Sequence, residues 1–175
     1  AVIGADVVVI GTPLSTTEKI FPQIVASLKP SAVLTDVGSA KGSVVITAQK
    51  VMGDNFSRFV PGHPIAGTEH SGVEASFAEL FVDHRVILTP LDVTDASAHK
   101  LITKMWQVVG ANVINLDVKH HDDVLAATSH LPHMLAYALV DCLAGMQERE
   151  DIFKYAAGGF ADFTRIASSN PEMWH

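Results

Sequence analysis

Hydrophobic and polar positions along the first two thirds of the chain form two kinds of run. Short β-branched runs bounded by glycine, proline or polar residues predict buried strands, and apolar residues spaced three and four apart predict helices between them. The predicted strands cover 5–10, 32–37, 59–60, 85–88 and 111–116, and the predicted helices cover 16–28, 41–52 and 96–109. This alternation predicts an α/β domain with a mainly parallel sheet, in which ligands bind beyond the carboxyl ends of the strands.

The pattern changes after residue 117, where strand-like runs stop. Residues 124–145, VLAATSHLPHMLAYALVDCLAG, are apolar on most faces and end at Gly145, which predicts a long buried helix. We therefore predict two domains, 1–117 and 118–175, of which the second is all helical. Because its helices are too apolar to face water alone, we expect them to pack on the first domain and on another subunit in a dimer.

Composition excludes several classes of protein. The 175 residues carry a formal net charge of -7 and no basic cluster, which argues against nucleic acid as a partner. No apolar run reaches the roughly 18 residues that a membrane span needs, and the N-terminus lacks the features of a signal peptide, so we expect a cytoplasmic protein. A single cysteine, Cys142, excludes an internal disulfide and is interpreted as a core residue.

Two loops that follow predicted strands carry candidate polar groups. Thr12 and Pro13 come directly after the first strand and form either a cofactor-facing loop or a simple turn. Ser39, in DVGSAKG after the second strand, places a hydroxyl at the start of the next helix. It could cap that helix, face a ligand, or do both, because a capping hydroxyl can make another hydrogen bond.

The stretch VPGHPIAGTE fixes the backbone of one histidine, His63. Pro64 favours an extended conformation for it, and Gly62 and Gly67 permit tight turns or the close approach of a ligand. We expect the imidazole to stand in a loop at a strand end with a fixed direction. An ordinary polar histidine is the alternative, and the residues of the second domain favour a site.

Ser129-His130-Leu131-Pro132-His133 supplies polar groups within the apolar helical run. Ser129 and His133 are four residues apart and share one helix face. Pro132 removes a backbone donor and predicts a kink that costs about 3 kcal/mol in an ordinary helix. Such a cost suggests a functional bend.

A zinc site is the competing interpretation of these histidines. His130 and His133 are three residues apart, and His120 and His121 lie nearby in the sequence. The neighbouring carboxylates lie far along the helix from the first pair, and a conventional zinc helix motif does not occur. We therefore expect no metal.

A lone arginine, Arg165, lies in the weakly charged segment GGFADFTRIA. Arginine binds carboxylates through two parallel hydrogen bonds, whereas a structural ion pair with Asp162 or Glu69 is the alternative. A serine, two histidines and an arginine near turns or a kink suit a small anionic substrate with a hydroxyl that is deprotonated.

Four segments in this order, DVGSAKG, HPIAGTE, SHLPHMLAYALV and GGFADFTRIASSNPEMW, resemble the prephenate dehydrogenase family, which includes arogenate and cyclohexadienyl dehydrogenases of tyrosine biosynthesis. The resemblance covers nearly the whole chain. It implies a Rossmann-like nucleotide domain followed by a helical dimerisation domain, with the active site between them. The implied reaction is oxidative decarboxylation of prephenate or arogenate, to 4-hydroxyphenylpyruvate or tyrosine, with hydride transfer to NAD or NADP.

The resemblance also implies roles for particular residues. His63 is the expected catalytic base for the ring hydroxyl of the substrate, and Ser39 is expected to hydrogen-bond His63 and the substrate or nicotinamide. Substrate-binding roles are expected for Ser129, His133, Arg165 and Glu69, and cofactor-binding roles for Thr12, Pro13 and Ser39.

One departure from the family pattern is large. The G-x-G-x-x-G turn after a first strand, and the ribose-selecting residue about 20 positions later, do not occur, because Gly4 and Gly11 do not fit the spacing. We therefore expect a fragment of a larger enzyme, and the sequence does not indicate NAD or NADP. Two other interpretations stay open: a non-catalytic assembly or regulatory module, and a different two-domain hydroxyacid dehydrogenase.

Overall fold

A computed structural model describes residues 2–67 and 73–168 of the chain. Within these residues the strands are β1 (Val7–Ile10), β2 (Val33–Asp36), β3 (Phe59–Val60), β4 (Gly62–Ile65), β5 (Arg85–Leu88) and β6 (Asn112–Asn115). The helices are α1 (Thr17–Val25), α2 (Gly42–Met52), α3 (Ala96–Val108), α4 (Val118–Leu125), α5 (Leu131–Ala144), α6 (Arg149–Lys154) and α7 (Gly158–Thr164).

The first three strands form a parallel sheet in the order β1-β2-β3. Val7 lies opposite Val33, and Leu34 lies opposite Phe59. Parallel neighbours need a crossover between them, and α1 and α2 supply it. The predicted α/β architecture with a mainly parallel sheet is confirmed.

A second sheet has the order β4-β5-β6, with β4 antiparallel and β6 parallel to β5. The chain passes from the first sheet to the second at Pro61, whose carbonyl accepts a hydrogen bond from the Thr89 amide at 3.0 Å. The expectation of a loop around His63 is wrong, because β4 is a strand that contains it. Proline cannot donate to a ladder, so a strand holding Pro64 is restricted to a sheet edge, and β4 occupies one.

Apolar clusters lie on both faces of the first sheet. Adjacent residues of β2 belong to different clusters, Leu34 to one and Val33 to the other, because side chains alternate along a strand. One cluster is covered by α1 and α2 and contains Phe21, Val44, Ala48, Met52 and Phe59, and the other is covered by α3 and contains Val60, Val86, Ala98, Ile102 and Trp106. The strands are therefore fixed from both sides, which gives their carboxyl ends a rigid base.

The chain divides into two compact units. The described residues of unit 1 are 2–67 and 76–122, and those of unit 2 are 73–75 and 123–168. The division falls within α4, between Asp122 and Asp123, whereas the predicted boundary at 117/118 lies at the start of that helix. The secondary-structure elements in the described residues of unit 2 are all helical, as predicted, and are joined by short turns.

The predicted kink takes a more specific form than a bend in one long helix. Residues Ala126–His130 form a π-helical segment, and the amide of Leu131 donates to the carbonyl of Ala126, five residues earlier. Pro132 follows in the first turn of α5, where a missing donor is tolerated. The irregular turn therefore sits immediately before the proline, at the position of Ser129, and π-turns of this kind are frequent at functional sites.

One face of α5 is exposed within the single chain, whereas its sequence predicts burial against the first domain and another subunit. Ala136 is its buried residue, whereas Leu131, Met134 and Leu135 are 53–56% exposed and Cys142 is exposed as well. The helices of unit 2 leave this apolar face without cover inside one chain. Although α5 is apolar, no helix among residues 2–67 and 73–168 is long and apolar enough to cross a membrane.

Candidate active site

One buried carboxylate fixes the two loops that carry the candidate catalytic residues of unit 1. Asp36 ends β2, and its side chain accepts hydrogen bonds from the amides of Gly38 at 2.9 Å and Gly62 at 3.2 Å. These glycines immediately precede Ser39 and His63. The structure therefore anchors both predicted residues to the same side chain at the carboxyl end of β2.

A buried lysine completes this anchor. The ammonium of Lys41 forms an ion pair with Asp36 and donates to the carbonyl of Gly62 at 2.7 Å. Burial lowers the pKa of Lys41, and the neighbouring carboxylate of Asp36 offsets only part of that effect. Lys41 therefore ties the start of α2 to the strand that carries His63.

Gly62 is required by the packing of the chain on itself. A Cβ atom at this position would lie 3.0 Å from the Asp36 carbonyl oxygen and 3.2 Å from a methyl group of Leu88. The sequence predicted that Gly62 permits either a tight turn or the close approach of a ligand. In the structure, the atoms that approach Gly62 closely belong to the protein's own backbone and core. A Cβ at Gly67 would meet nothing within 4 Å.

The N-terminus of α2 is capped by a carboxylate from α4. Asp122 accepts hydrogen bonds from the amides of Lys41 and Gly42, both at 2.8 Å. Partial burial raises the pKa of Asp122, but these two amides and His121 outweigh it, so the pKa lies below its ordinary value. The alternative that Ser39 caps α2 is wrong, because a carboxylate distant in sequence already occupies the helix end.

Three side chains form a hydrogen-bonded row that begins at the predicted base. Nδ1 of His63 lies 2.9 Å from Nε2 of His121, and Nδ1 of His121 lies 2.8 Å from the carboxylate of Asp122. The two imidazole rings meet edge to face, with centroids 5.1 Å apart and planes at 68°. His121 is fully buried, whereas His63 is partly exposed. The row thus runs from an accessible imidazole to a buried ring and an anchored carboxylate.

The loop after β1 lies exposed at the carboxyl end of the first sheet. Gly11, Thr12 and Pro13 are exposed at the carboxyl end of a parallel strand whose neighbour is β2. The Thr16 hydroxyl lies 2.7 Å from the Pro13 carbonyl and 3.0 Å from the Thr12 hydroxyl, which fixes the loop. Carboxyl ends of parallel strands are where such sheets bind nucleotides, and small side chains leave the backbone accessible there.

The candidate substrate residues of unit 2 lie on two of its segments. Nδ1 of His133 donates to the backbone carbonyl of Ser129 at 2.9 Å, so the predicted pair is in contact. Arg165 begins a 3₁₀ turn, Arg165–Ser168, and is exposed. Glu69 lies outside the described residues.

The histidines near α4 and α5 are not arranged as a metal site. Within the described ranges no group of three or more His, Cys, Asp and Glu side chains is placed to hold a metal ion. His121, which the zinc alternative included, is instead joined to His63 and Asp122. Sequence reasoning missed this role, and the one available signal was a histidine directly followed by an aspartate at the start of the helix after the last strand.

Comparison with known proteins gives one family for the whole chain. Residues 1–115 match the model described as prephenate dehydrogenase, nucleotide-binding domain, and residues 117–175 match prephenate dehydrogenase, dimerization domain. The chain is 42% identical to a cyclohexadienyl dehydrogenase of Zymomonas mobilis, over 99% of this chain and 59% of that protein.

Solved structures agree with this match. The fold is similar to that of the prephenate dehydrogenase of Aquifex aeolicus in complex with hydroxyphenyl propionate and NAD+, with a TM-score of 0.88, 46% identity, and coverage of 97% of this chain and 58% of that one. It is also similar to the arogenate dehydrogenase of Synechocystis, with a TM-score of 0.77, 29% identity, and coverage of 97% and 61%. The chain thus spans about three fifths of the length of each of these relatives.

Proposed function

Because the chain belongs to the prephenate dehydrogenase family, we propose that the full-length protein catalyses the oxidative decarboxylation of prephenate or arogenate in tyrosine biosynthesis. The observation that carries this proposal is the position of His63. Its imidazole is partly exposed, lies on a strand fixed by Asp36 and Lys41, and is hydrogen-bonded to a buried histidine. A directed and accessible imidazole of this kind is what a general base needs.

The chemistry assigns one task to each candidate residue. The substrate loses a hydride from its hydroxyl-bearing carbon, a proton from that hydroxyl, and its ring carboxylate as carbon dioxide. The electron pair of the broken carbon–carbon bond makes the ring aromatic as a phenolate, and the proton then returns to the oxygen to give the phenol. His63 takes up the proton, which a neutral imidazole does near neutral pH. NAD or NADP, when bound, supplies the hydride acceptor. Thr12, Pro13 and Ser39 would hold it at the carboxyl ends of β1 and β2.

The remaining site residues would hold the substrate. We assign Ser129 and His133 to the substrate pocket, since the π-helical turn and the Ser129–His133 contact fix their positions. Arg165 binds a substrate carboxylate, and Glu69 contributes to the same pocket. Alignment of donor and acceptor by such contacts accounts for a large share of rate enhancement in reactions between two bound molecules.

A homodimer through the helical unit is the proposed assembly. The apolar face of α5 that one chain leaves exposed, at Leu131, Met134 and Leu135, supports it, as does the match to a model described as a dimerization domain. A cytoplasmic location and the absence of a nucleic-acid partner remain predictions from composition and charge.

The proposed function is tested by assaying the full-length protein with prephenate and with arogenate, each with NAD and with NADP. We expect reduced cofactor in at least one of the four combinations, and the ratio of kcat/KM values identifies substrate and cofactor. A protein that oxidises only simple hydroxyacids would be the alternative two-domain dehydrogenase. Binding of the substrates without turnover would favour the non-catalytic module.

Replacing Arg165 with glutamine distinguishes a substrate clamp from a structural residue. We expect the KM for substrate to rise at least about tenfold, a loss of about 1.4 kcal/mol, with a smaller effect on the cofactor, because glutamine lacks the charge and the two-pronged geometry of arginine. Steady-state kinetics and a melting curve on the same variant measure both effects.

The matched control for this test is Arg149→Gln, which removes an exposed arginine from α6 in the same unit. We expect it to leave both constants unchanged. An unchanged substrate KM in Arg165→Gln, or a lower melting temperature with equal effects on substrate and cofactor, would make Arg165 a structural residue.

A further inference from the structure

The row His63–His121–Asp122 determines where protons can reside on two imidazole rings. Asp122 accepts hydrogen bonds from two backbone amides, so its carboxylate is fixed as an acceptor. Nδ1 of His121 lies 2.8 Å from this carboxylate and must therefore carry a proton and donate it. In a neutral ring the other nitrogen, Nε2, is then an acceptor.

The same logic extends to the next ring. Nε2 of His121 lies 2.9 Å from Nδ1 of His63, so a neutral His121 accepts a hydrogen bond from that nitrogen. The proton of His63 then resides on Nδ1, and its Nε2 carries the lone pair. We propose that His121 and Asp122 are positioning residues that hold His63 in this tautomer and direct its Nε2 to receive the substrate proton. This inference rests on the proposed function, in which His63 is the base.

The reverse arrangement of protons would leave His63 without an acceptor nitrogen for the substrate. If His121 carried a second proton, its Nε2 would donate to His63 and place the remaining proton of His63 on Nε2, which would remove the base. His121 is fully buried, and both of its ring nitrogens are engaged, one with Asp122 and the other with His63. The edge-to-face contact of the two rings also fixes the direction in which His63 points.

The row has a second consequence during the reaction. When His63 takes up a proton on Nε2, the ring becomes a cation that still donates through Nδ1 to His121. A buried acceptor that is itself oriented by a carboxylate strengthens that hydrogen bond, as charge-assisted bonds are stronger than neutral ones. Other catalytic imidazoles are held in one tautomer by a carboxylate directly, and here a second imidazole would lie between them.

The direct test is ¹⁵N NMR of the histidine side chains in the full-length protein without substrate or cofactor. The expected result is a His63 ring protonated on Nδ1 with an unprotonated Nε2, assigned by loss of its signals in His63→Asn. A His63 ring protonated on Nε2 would overturn the inference. This spectrum needs no variant of the row itself, so the result does not depend on whether such a variant folds.

Variants of the row test its effect on turnover. Asp122→Asn and His121→Gln should lower kcat by about 10- to 100-fold, by analogy with the range for residues that orient metal-binding histidines, with the KM for substrate nearly unchanged. Asp122→Glu restores the carboxylate and should recover most of the loss. His120→Gln, at the exposed neighbouring position on α4, is the matched control and should keep wild-type values.

The outcomes separate this inference from the proposed function. If the expected tautomer is present but the protein oxidises neither prephenate nor arogenate, the proposed function fails while the proton assignment stands. If oxidation occurs and Asp122→Asn keeps both the wild-type kcat and the tautomer of His63, the row is structural and the inference is wrong.

Discussion

Replacing His63 with asparagine is expected to lower the turnover of the full-length protein by about 100-fold or more, because general-base catalysis contributes about 10²- to 10⁴-fold. Asparagine keeps a polar side chain on β4 but has no group that takes up a proton near neutral pH. Cofactor affinity should stay nearly intact, since β1, β2 and the loop at Thr12 do not depend on the imidazole. Steady-state kinetics and cofactor titration measure the two quantities.

His84→Asn provides the control for this substitution. His84 is an exposed histidine of unit 1 directly before β5, and it contacts the backbone carbonyl of Val82. We expect this variant to keep wild-type turnover. Turnover at the wild-type level in His63→Asn would remove His63 from the mechanism.

Replacing Lys41 with methionine is expected to lower the free energy of unfolding by about 3 kcal/mol or more. Breaking a buried ion pair by removing one partner costs about 3–5 kcal/mol, because the remaining charge loses its compensation. Here the substitution leaves the carboxylate of Asp36 buried and removes the hydrogen bond to the Gly62 carbonyl. Equilibrium unfolding in denaturant measures the loss.

Two companion variants make this prediction specific. Lys50→Met removes an exposed lysine from the same helix, α2, and should change stability little. Asp36→Asn combined with Lys41→Met removes the uncompensated charge and should recover part of the loss. A Lys41→Met variant as stable as Lys50→Met would show that the buried pair does not hold β2, α2 and β4 together.

The strands and helices of unit 1 were predictable wherever the sequence pattern alternates without interruption. β3 and β5 have the predicted bounds, and α2 and α3 differ from the prediction by one residue at one end. Their stabilisation comes from apolar residues at regular spacing, which local patterns report directly. β4 was missed because polar and apolar residues do not alternate along GHPI, and only one of its four residues is β-branched. Its pairing with β5 joins segments that are distant in sequence, which a local pattern does not report.

The sequence predicted those features of the site that depend on the local backbone conformation around a motif. Proline and glycine around His63 indicated an extended, fixed histidine, and the structure has that conformation. The partners of His63 were not predictable, because His121 lies 58 residues later and the Asp122 contact with Lys41 spans 81 residues. Lys41 itself was seen as a helix-start residue, since no local pattern distinguishes a buried lysine from an exposed one.

The exposure of α5 has a similar cause. Its sequence is apolar on most faces, which predicts burial but does not say which surface covers it. Within one chain the face at Leu131, Met134 and Leu135 is exposed. A hydropathy pattern reports that a face avoids water, and only the structure shows what is available to pack on it.

Oxidative decarboxylation is tested most directly by measuring carbon dioxide and reduced cofactor in the same reaction of the full-length protein with its preferred substrate. Equal amounts of the two products are expected, because loss of hydride and loss of the ring carboxylate belong to one oxidative decarboxylation. Reduced cofactor without carbon dioxide, or neither product from prephenate and arogenate, would contradict it.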